Sequence, residues 1–173
     1  MPASKFYAFG TQEIGFVTGG NTLTPVTETT KDGVDIQLTA QFVDLYGGKD
    51  MLPADSKAER GELTLAATMK DASLTALKFA LALPDAALTG DLSAATPTAE
   101  VLAIDASTIG SVRRHIYALG PGPSTTRKIE IPNAQWQGIG GLGQKGNAHT
   151  NPQPTFRALT PASGPAVRIT DAV

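Results

Sequence analysis

Hydrophobic and polar residues alternate along two long stretches of the chain, as they do in β-strands that bury one face and wet the other. In residues 33–43 and 61–69 almost every second position is apolar. The positions between them carry polar or small side chains: Asp35, Gln37, Thr39, Gln41, Glu62, Thr64, Ala66 and Thr68. Because both stretches alternate in the same way and flank one connection, they predict an antiparallel hairpin.

The connection between the two stretches, residues 44–60, reads "DLYGGKDMLPADSKAER". Gly47, Gly48 and Pro53 interrupt regular structure, so the sequence predicts a long hairpin loop. The loop also holds large apolar side chains that a solvent-exposed loop does not need, namely Tyr46, Met51 and Leu52.

Shorter amphipathic stretches predict further strands, separated by turns rich in glycine and proline. The predicted strands are residues 12–17, 21–26, 100–105, 112–119, 127–131, 155–159 and 167–170, with pairing continued over 135–137. A chain of many short strands with one helix predicts a mainly-β fold, a β-sandwich or barrel-like domain.

One helix is predicted over residues 71–83, flanking the sheet. Asp71 is the expected N-cap, and Pro84 ends the segment. Apolar residues at helical spacing form one side of this helix, which we expect to lie on a face of the sheet; they include Leu74, Leu77 and Leu81.

The composition limits the possible classes of function. The 173 residues are most simply one domain over positions 1–173. A net charge of −2 with 17% charged residues gives no footprint for nucleic-acid binding. The chain has no cysteine, which excludes disulfides, thiolate nucleophiles and cysteine-based zinc sites. No apolar signal core or membrane-spanning stretch is visible, so we expect a soluble protein without a membrane anchor.

Residues that could carry catalysis or bind metal form no recognisable site. His115 and His149 are far apart and have no further ligand at metal spacing. No nucleophile-elbow pattern occurs. The glycine-rich stretch "GIGGLGQKG" lacks the order of a phosphate-binding loop, because glutamine precedes its lysine and no helix can follow. We therefore expect no catalytic residue, no bound metal and no cofactor.

Several segments follow one another in a distinctive order: a strand ending "FVDLYGGKD", the loop "LPADSKAERG", the strand "GELTLAATM", the helix "DASLTALKFAL", and later "KIEIPNAQW" and "PTFRALTP". This order resembles the tail tube protein, also called the major tail protein, of long-tailed bacteriophages. The resemblance covers most of the chain, about residues 16–170.

The resemblance implies a single tail tube domain with no enzymatic activity. Subunits of that family form hexameric rings, and the rings stack into a hollow tube through which DNA is ejected. The implied partners are further copies of the chain, the tape measure protein, and tail-tip and terminator proteins, with double-stranded DNA in transient passage. The implied location is the tail of the virion, after assembly in the cytoplasm of the bacterial host.

The resemblance also implies roles for residues. The polar faces of the two long strands would line the channel, through Asp35, Gln37, Thr39, Gln41, Glu62, Thr64 and Thr68. The loop between the strands would contact the neighbouring ring, through Tyr46, Gly47, Gly48, Asp50, Met51 and Leu52. A channel wall without lysine or arginine suits the passage of DNA, because phosphates bind those side chains strongly.

Other readings of the sequence stay open. Another component of a phage tail or of a phage-derived injection machine, such as a tail terminator or a secretion-type tube, would share these features. A non-viral β-sandwich that binds a small ligand is a further alternative, although only 6% of residues are aromatic and they are scattered. The alternation of Lys128 and Glu130 with Ile129 and Ile131 leaves open which way that polar face points.

Overall fold

The structure, a computed structural model, describes residues 4–7, 12–19, 21–46, 53–91, 95–96, 98–122, 126–140, 144–145, 148–149 and 151–172. Of residues 4–7, 42–46, 53–60, 144–145, 148–149 and 172 it describes the backbone alone. Strands hold 59% of the residues and helices 8%, which confirms the mainly-β fold.

Twelve strands and two short helices occur in the described residues. The strands are β1 (Ser4–Tyr7), β2 (Glu13–Thr18), β3 (Thr22–Tyr46), β4 (Pro53–Met69), β5 (Leu88–Thr89), β6 (Val101–Leu102), β7 (Arg114–Pro121), β8 (Thr126–Gly140), β9 (Gln144–Lys145), β10 (Ala148–His149), β11 (Gln153–Ala158) and β12 (Arg168–Ala172). The α-helix, α1, spans Leu74–Ala80, and a 3₁₀-helix spans Asp85–Ala87.

Six of these strands pair in a closed circuit. Their order is β3, β2, β7, β8, β11 and β4, and β4 pairs again with β3. Every pairing in the circuit is antiparallel. The sheet is therefore closed into a barrel, whose inward side chains form one core. Strands β1 and β12 add to β3 and β8 outside the circuit.

Strand β3 belongs to both sides of the barrel. Its first part pairs with β2, and from Thr29 onward it pairs with β4. The pairing slips between Thr29 and Val34, where Gly33 has a φ of 67°. Glycine takes this left-handed conformation without strain, so the strand bends at a bulge and continues. The two separate strands predicted at residues 21–26 and 33–43 are thus one strand.

The predicted long loop at residues 44–60 is wrong, because most of that segment is strand. β3 continues to Tyr46, which lies opposite Pro53 at the start of β4. Only residues 47–52 lie between them, outside the described residues. The segment after Pro53 is polar and has weak intrinsic strand preference, but backbone pairing with β3 overrides that preference.

The far end of this hairpin is a two-stranded arm, which we define as residues 39–46 and 53–62. β1 pairs with β3 only over Ile36 and its neighbours, and β11 pairs with β4 only over residues 64–66. No third strand pairs with the arm in the described part of the chain. The arm therefore extends beyond the closed circuit.

Strand β8 is longer than predicted and has its own bulge. The predicted segments 127–131 and 135–137 are parts of this single strand. Its register with β7 slips between Ile131 and Ala134, at Pro132, which has no N–H for a ladder bond. Of the glycine-rich loop predicted over 138–147, residues 138–140 end β8 and residues 144–145 form β9, which pairs with β10. The strand predicted over 100–105 is only two residues long.

Helix α1 is shorter than predicted and has a different cap. It begins at Leu74, and the side chain of Ser73 accepts a hydrogen bond from the backbone N–H of Ala76. Asp71, the predicted N-cap, instead accepts a bond from the N–H of Ser73. Neither helix in the described residues is long and apolar enough to cross a membrane.

The helix contributes Phe79 to the centre of the barrel core. The Phe79 ring lies 4.8 Å from the ring of Phe16 on β2 and 5.4 Å from that of Phe156 on β11, measured between centroids. β2 and β11 stand on opposite sides of the six-strand circuit. One helical side chain therefore links both walls of the barrel.

Arg114 on β7 ties the end of the helical segment to the barrel. Its guanidinium donates to the carbonyl of Leu83 at 3.2 Å and to the carboxylate of Asp85 at 2.9 Å, and it lies 4.4 Å from the ring centre of Phe16. Lys78 also pairs with Asp85, at 3.4 Å. These two cations hold the pKa of Asp85 below its usual value, Arg114 having the larger effect.

Replacing Phe79 with alanine tests the bridge across the core. The variant loses contact with both walls, so we expect its free energy of unfolding to fall by about 3–5 kcal/mol. Urea denaturation followed by circular dichroism measures the change. Thr75→Ala, at an exposed position of the same helix, is the matched control and should change stability by less than about 1 kcal/mol. A loss for Phe79→Ala no larger than the control's would contradict the bridge.

The pKa of Asp85 predicts a pH dependence of stability. Because the folded pKa is lowered, the stabilisation is complete above the unfolded pKa and is lost as pH falls through the folded pKa. The carboxylate is mostly exposed, so the effect is at most about 1 kcal/mol. In urea titrations from about pH 6 to pH 2.5, Asp85→Asn should lose less stability than the parent.

Glu100→Gln is the control for this titration, because no ion pair joins Glu100 to the described part of the chain. It should reproduce the parent's pH profile. Parallel profiles for the parent and Asp85→Asn would show that the ion pairs of Asp85 do not stabilise the fold.

Candidate functional site

The polar residues predicted on the two long strands lie on one outer face of the barrel. Residues directly opposite each other in an antiparallel pair present their side chains to the same face. The register places Gln37 opposite Thr64 and Thr39 opposite Glu62. Asp35 lies opposite Ala66, and the alternation of β4 brings Thr68 to the same side. Gln41 completes the set at the start of the arm.

This face continues across two more strands. Thr155 and Arg157 on β11 lie opposite Ala66 and Thr64, and Gln135 on β8 lies opposite Arg157. We call the whole surface the polar face and define it by Asp35, Gln37, Thr39, Gln41, Glu62, Thr64, Ala66, Thr68, Gln135, Gln137, Gln153, Thr155 and Arg157. The sequence pattern of the two long strands found about half of it.

Amide and hydroxyl groups dominate the polar face, and its charges are paired or hydrogen-bonded. Asp35 accepts a hydrogen bond from the amide of Gln37 at 3.0 Å. Arg157 lies with its Nε 3.5 Å from a carboxylate oxygen of Glu62, and the amide of Gln137 donates to the same oxygen at 3.4 Å. Glu62 thus joins β4 to β8 across β11.

Arg157 corrects the expectation of a face without positive charge. Among the residues that define the polar face it is the one base. Two further basic residues hold register positions opposite members of this face, Lys5 of β1 opposite Gln37 and Arg60 of β4 opposite Gln41. The strand that contains Arg157 was predicted, but its pairing with β4 was not, so its place beside Glu62 became visible only in the structure.

A pocket of about 280 Å³ opens at the end of the polar face next to the bulge of β3. Two carboxylate residues, Asp32 and Asp35, line it together with small and polar residues of β4 and β11. One oxygen of Asp35 is buried there without a hydrogen-bond partner. No group of three or more side chains that commonly bind metals occurs in the described residues.

The orientation of Lys128 and Glu130 is also resolved. Both point outward, because Ile129 and Ile131 between them belong to the core. They lie on the part of β8 that pairs with β7 and β12, not with β11. Glu130 is only 3% exposed and pairs with Lys128 at 3.3 Å. The lysine that the sequence left unassigned is therefore neutralised outside the polar face.

His115 and Tyr117 of β7 lie beside Lys128 and Glu130 on the same outer side of the barrel. His115 lies 3.7 Å from Glu130; its burial lowers its pKa, and the Glu130 carboxylate opposes this in part. Tyr117 is fully buried, and its hydroxyl donates to Glu13 at 2.6 Å. Burial raises the pKa of Tyr117, and the Glu13 carboxylate adds to the effect. These contacts join β2, β7 and β8 and stabilise the wall.

The predicted inter-subunit contacts are only partly within the described residues. The backbone of Tyr46 ends β3 at the tip of the arm. The other contact candidates lie outside the described residues, namely Gly47, Gly48, Asp50, Met51 and Leu52. The glycine-rich stretch after β8 forms a β9–β10 pairing that includes the backbone of His149, and no helix follows it in the described part of the chain.

Comparison with known proteins gives no assignment. No protein-family model matches the chain, and no curated protein sequence matches it significantly. The functional argument therefore rests on the polar face and the arm.

Proposed function

We propose that the chain is a structural subunit of a phage-type tail tube, in which copies assemble into rings, the rings stack, and the polar face lines the channel. The observation that carries the proposal is the polar face itself. It spans four adjacent strands, presents mostly amide and hydroxyl groups, and runs without interruption into the arm. Such a surface suits a wall past which a polyanion slides without binding.

The charge of the face supports passage rather than binding. Proteins that bind DNA concentrate lysine and arginine on one face, since phosphate contacts supply most of the non-specific affinity. Here the acidic residues Asp35 and Glu62 accompany Arg157, which is paired with Glu62, while Lys5 and Arg60 hold register positions opposite Gln37 and Gln41. The polar face offers no stacked aromatic side chains on which bases could rest.

The arm supports assembly. A two-stranded ribbon alone is at best marginally stable in water, and the arm has no third strand in the described part of the chain. At its base Leu38, on the core side of β3, is 43% exposed. A ribbon of this kind gains stability by packing against a second copy, where both its edges and its apolar side find partners.

The strands outside the circuit also favour assembly. β1 pairs only with β3 and β12 only with β8 among the described residues, so each leaves one edge without a strand partner there. Edges of this kind pair readily with other chains. Rings built by edge-to-edge contact would bring the polar faces of neighbouring copies into one inner wall. Six-fold symmetry and the partners named above come from the family resemblance alone.

A ligand-binding module is the weaker candidate. The pocket beside Asp35 is open, and its lining mixes glycine and alanine with carboxylate, hydroxyl and amide side chains. Pockets for organic ligands are mostly apolar and aromatic. None of the described residues that line this pocket is aromatic, which argues against a receptor for an organic ligand at this place.

Shortening the arm tests the proposal. Residues 43–57 are replaced by Asn-Gly, which forms a two-residue turn between the paired positions Phe42 and Ala58. The barrel should keep its circular dichroism spectrum and cooperative unfolding, because no other described strand pairs with the removed segment. Negative-stain electron microscopy of the concentrated parent should show rings or striated hollow tubes, and the shortened variant should form no tubes.

Two outcomes would contradict the tube. One is tube formation by the shortened variant equal to that of the parent. The other is a parent chain that remains single even when mixed with the tail-tip components that would nucleate growth. In a second variant, Asn-Gly replaces only residues 47–52, so that both strands of the arm remain. Comparing the two variants distinguishes a requirement for the connecting residues from a requirement for the strands.

A further inference from the structure

The ion pair between Arg157 and Glu62 lies on the polar face and contributes little to the stability of the barrel. Arg157 is the last residue but one of β11 and lies between polar residues of both neighbouring strands, opposite Thr64 and Gln135. Its side chain remains 30% exposed, and that of Glu62 remains 40% exposed. The guanidinium is thus reachable from outside the barrel and is not part of the core.

An ion pair this exposed contributes little to stability, because solvent screens the two charges. The pair nevertheless has a third member, since the amide of Gln137 donates to the same oxygen of Glu62. Gln137 holds the carboxylate from the side of β8, and Arg157 meets it from β11. Gln137 of β8 therefore helps to hold the Glu62 carboxylate beside the Arg157 guanidinium of β11.

An unpaired arginine at this position would be a binding site for phosphate. Guanidinium groups bind phosphate through charge-assisted, bidentate hydrogen bonds, and each phosphate that a cation neutralises releases condensed counterions from DNA. In an assembly of many copies, the same arginine would recur in every subunit along the wall and would retard a passing duplex at each one.

We infer that Glu62 masks Arg157: its carboxylate lies 3.5 Å from Nε of the guanidinium, offsets its charge and so weakens the binding of nucleic-acid phosphates at this position. Gln137 is a positioning residue for the mask, and the ligand class that the mask excludes is the polyanion. The inference rests on the proposed function for its biological meaning, but the mask itself is a property of the single subunit.

The test measures binding of a fluorescein-labelled DNA duplex of roughly 30 base pairs by anisotropy, at salt concentrations between about 50 and 200 mM. Glu62→Gln leaves the shape of residue 62 unchanged and removes its charge. It should bind the duplex more tightly than the parent at low salt. One additional phosphate contact steepens the salt dependence by about 0.9 in log–log slope, which is about threefold in affinity over this range.

Two control variants isolate the arginine. Asp35→Asn changes the net charge by the same amount on the same face, but among the described side chains Asp35 contacts Gln37 and no cation. It should leave the affinity within about twofold of the parent's, since it frees no phosphate contact. The double variant Glu62→Gln/Arg157→Gln should return to the affinity of the parent. Lys5 and Arg60 are present in all four proteins, so their contributions cancel in the comparison.

Each result decides the inference. Tighter, salt-dependent binding by Glu62→Gln that the double variant abolishes supports the mask. Unchanged binding by Glu62→Gln overturns it, and so does an equal gain for Asp35→Asn or a double variant that still binds tightly. Urea denaturation should show all variants folded, since the exposed pair adds little stability.

The assembly into tubes is measured separately from the masking of Arg157. Electron microscopy of the same samples shows whether the chain assembles, and the anisotropy shows whether the base is masked. A chain that forms no tubes but gains DNA affinity on loss of Glu62 would contradict the proposed function and keep the mask. A Glu62→Gln variant that forms tubes and binds DNA as the parent does would support the proposed function and overturn the mask.

Discussion

Closure of the β-sheet is the constraint on which the rest of this structure depends. β3 pairs with β2 before its bulge and with β4 after it, and that change of partner closes the circuit. Gly33 allows the bend, because its φ of 67° costs a glycine little. Without the bend, β3 could serve only one wall, and the core around Phe79 would open on one side.

Closure also separates the two faces of the long strands. Once the apolar side of β3 and β4 faces the core, the alternation sends every intervening residue outward. The barrel wall, the polar face and the arm are therefore consequences of one binary pattern. Where a third strand pairs with the hairpin, the pattern contributes to the barrel wall. Where none does in the described residues, the hairpin forms the two-stranded arm.

The sequence predicted those parts of the fold that follow from local periodicity. The alternation over residues 33–43 and 61–69 correctly placed the polar residues of both strands on one face. Periodicity could not show that the segment after Pro53 is strand, because its polar residues do not alternate with apolar ones. The segment is a strand because its backbone pairs with β3. It also assigned the helix cap to Asp71, since Asp and Ser are both good caps and only the chain path selects Ser73.

The candidate site shows the same division. The members on β3 and β4 were visible as a pattern, whereas those on β8 and β11 depend on which strands become neighbours. Arg157 is the clearest case: its position in the chain gives no sign that Glu62, which is nearly a hundred residues away, lies beside it. Long-range pairing of this kind is set by the closed circuit and not by local preference.

The most direct test of the central claim is a helical reconstruction by electron cryomicroscopy of the assembled chain. The account predicts a hollow tube whose inner wall is formed by β3, β4, β8 and β11, with the side chains of Asp35 and Glu62 facing the channel. A tube in which these residues face the exterior or a neighbouring subunit, with the channel lined by other strands, would contradict it.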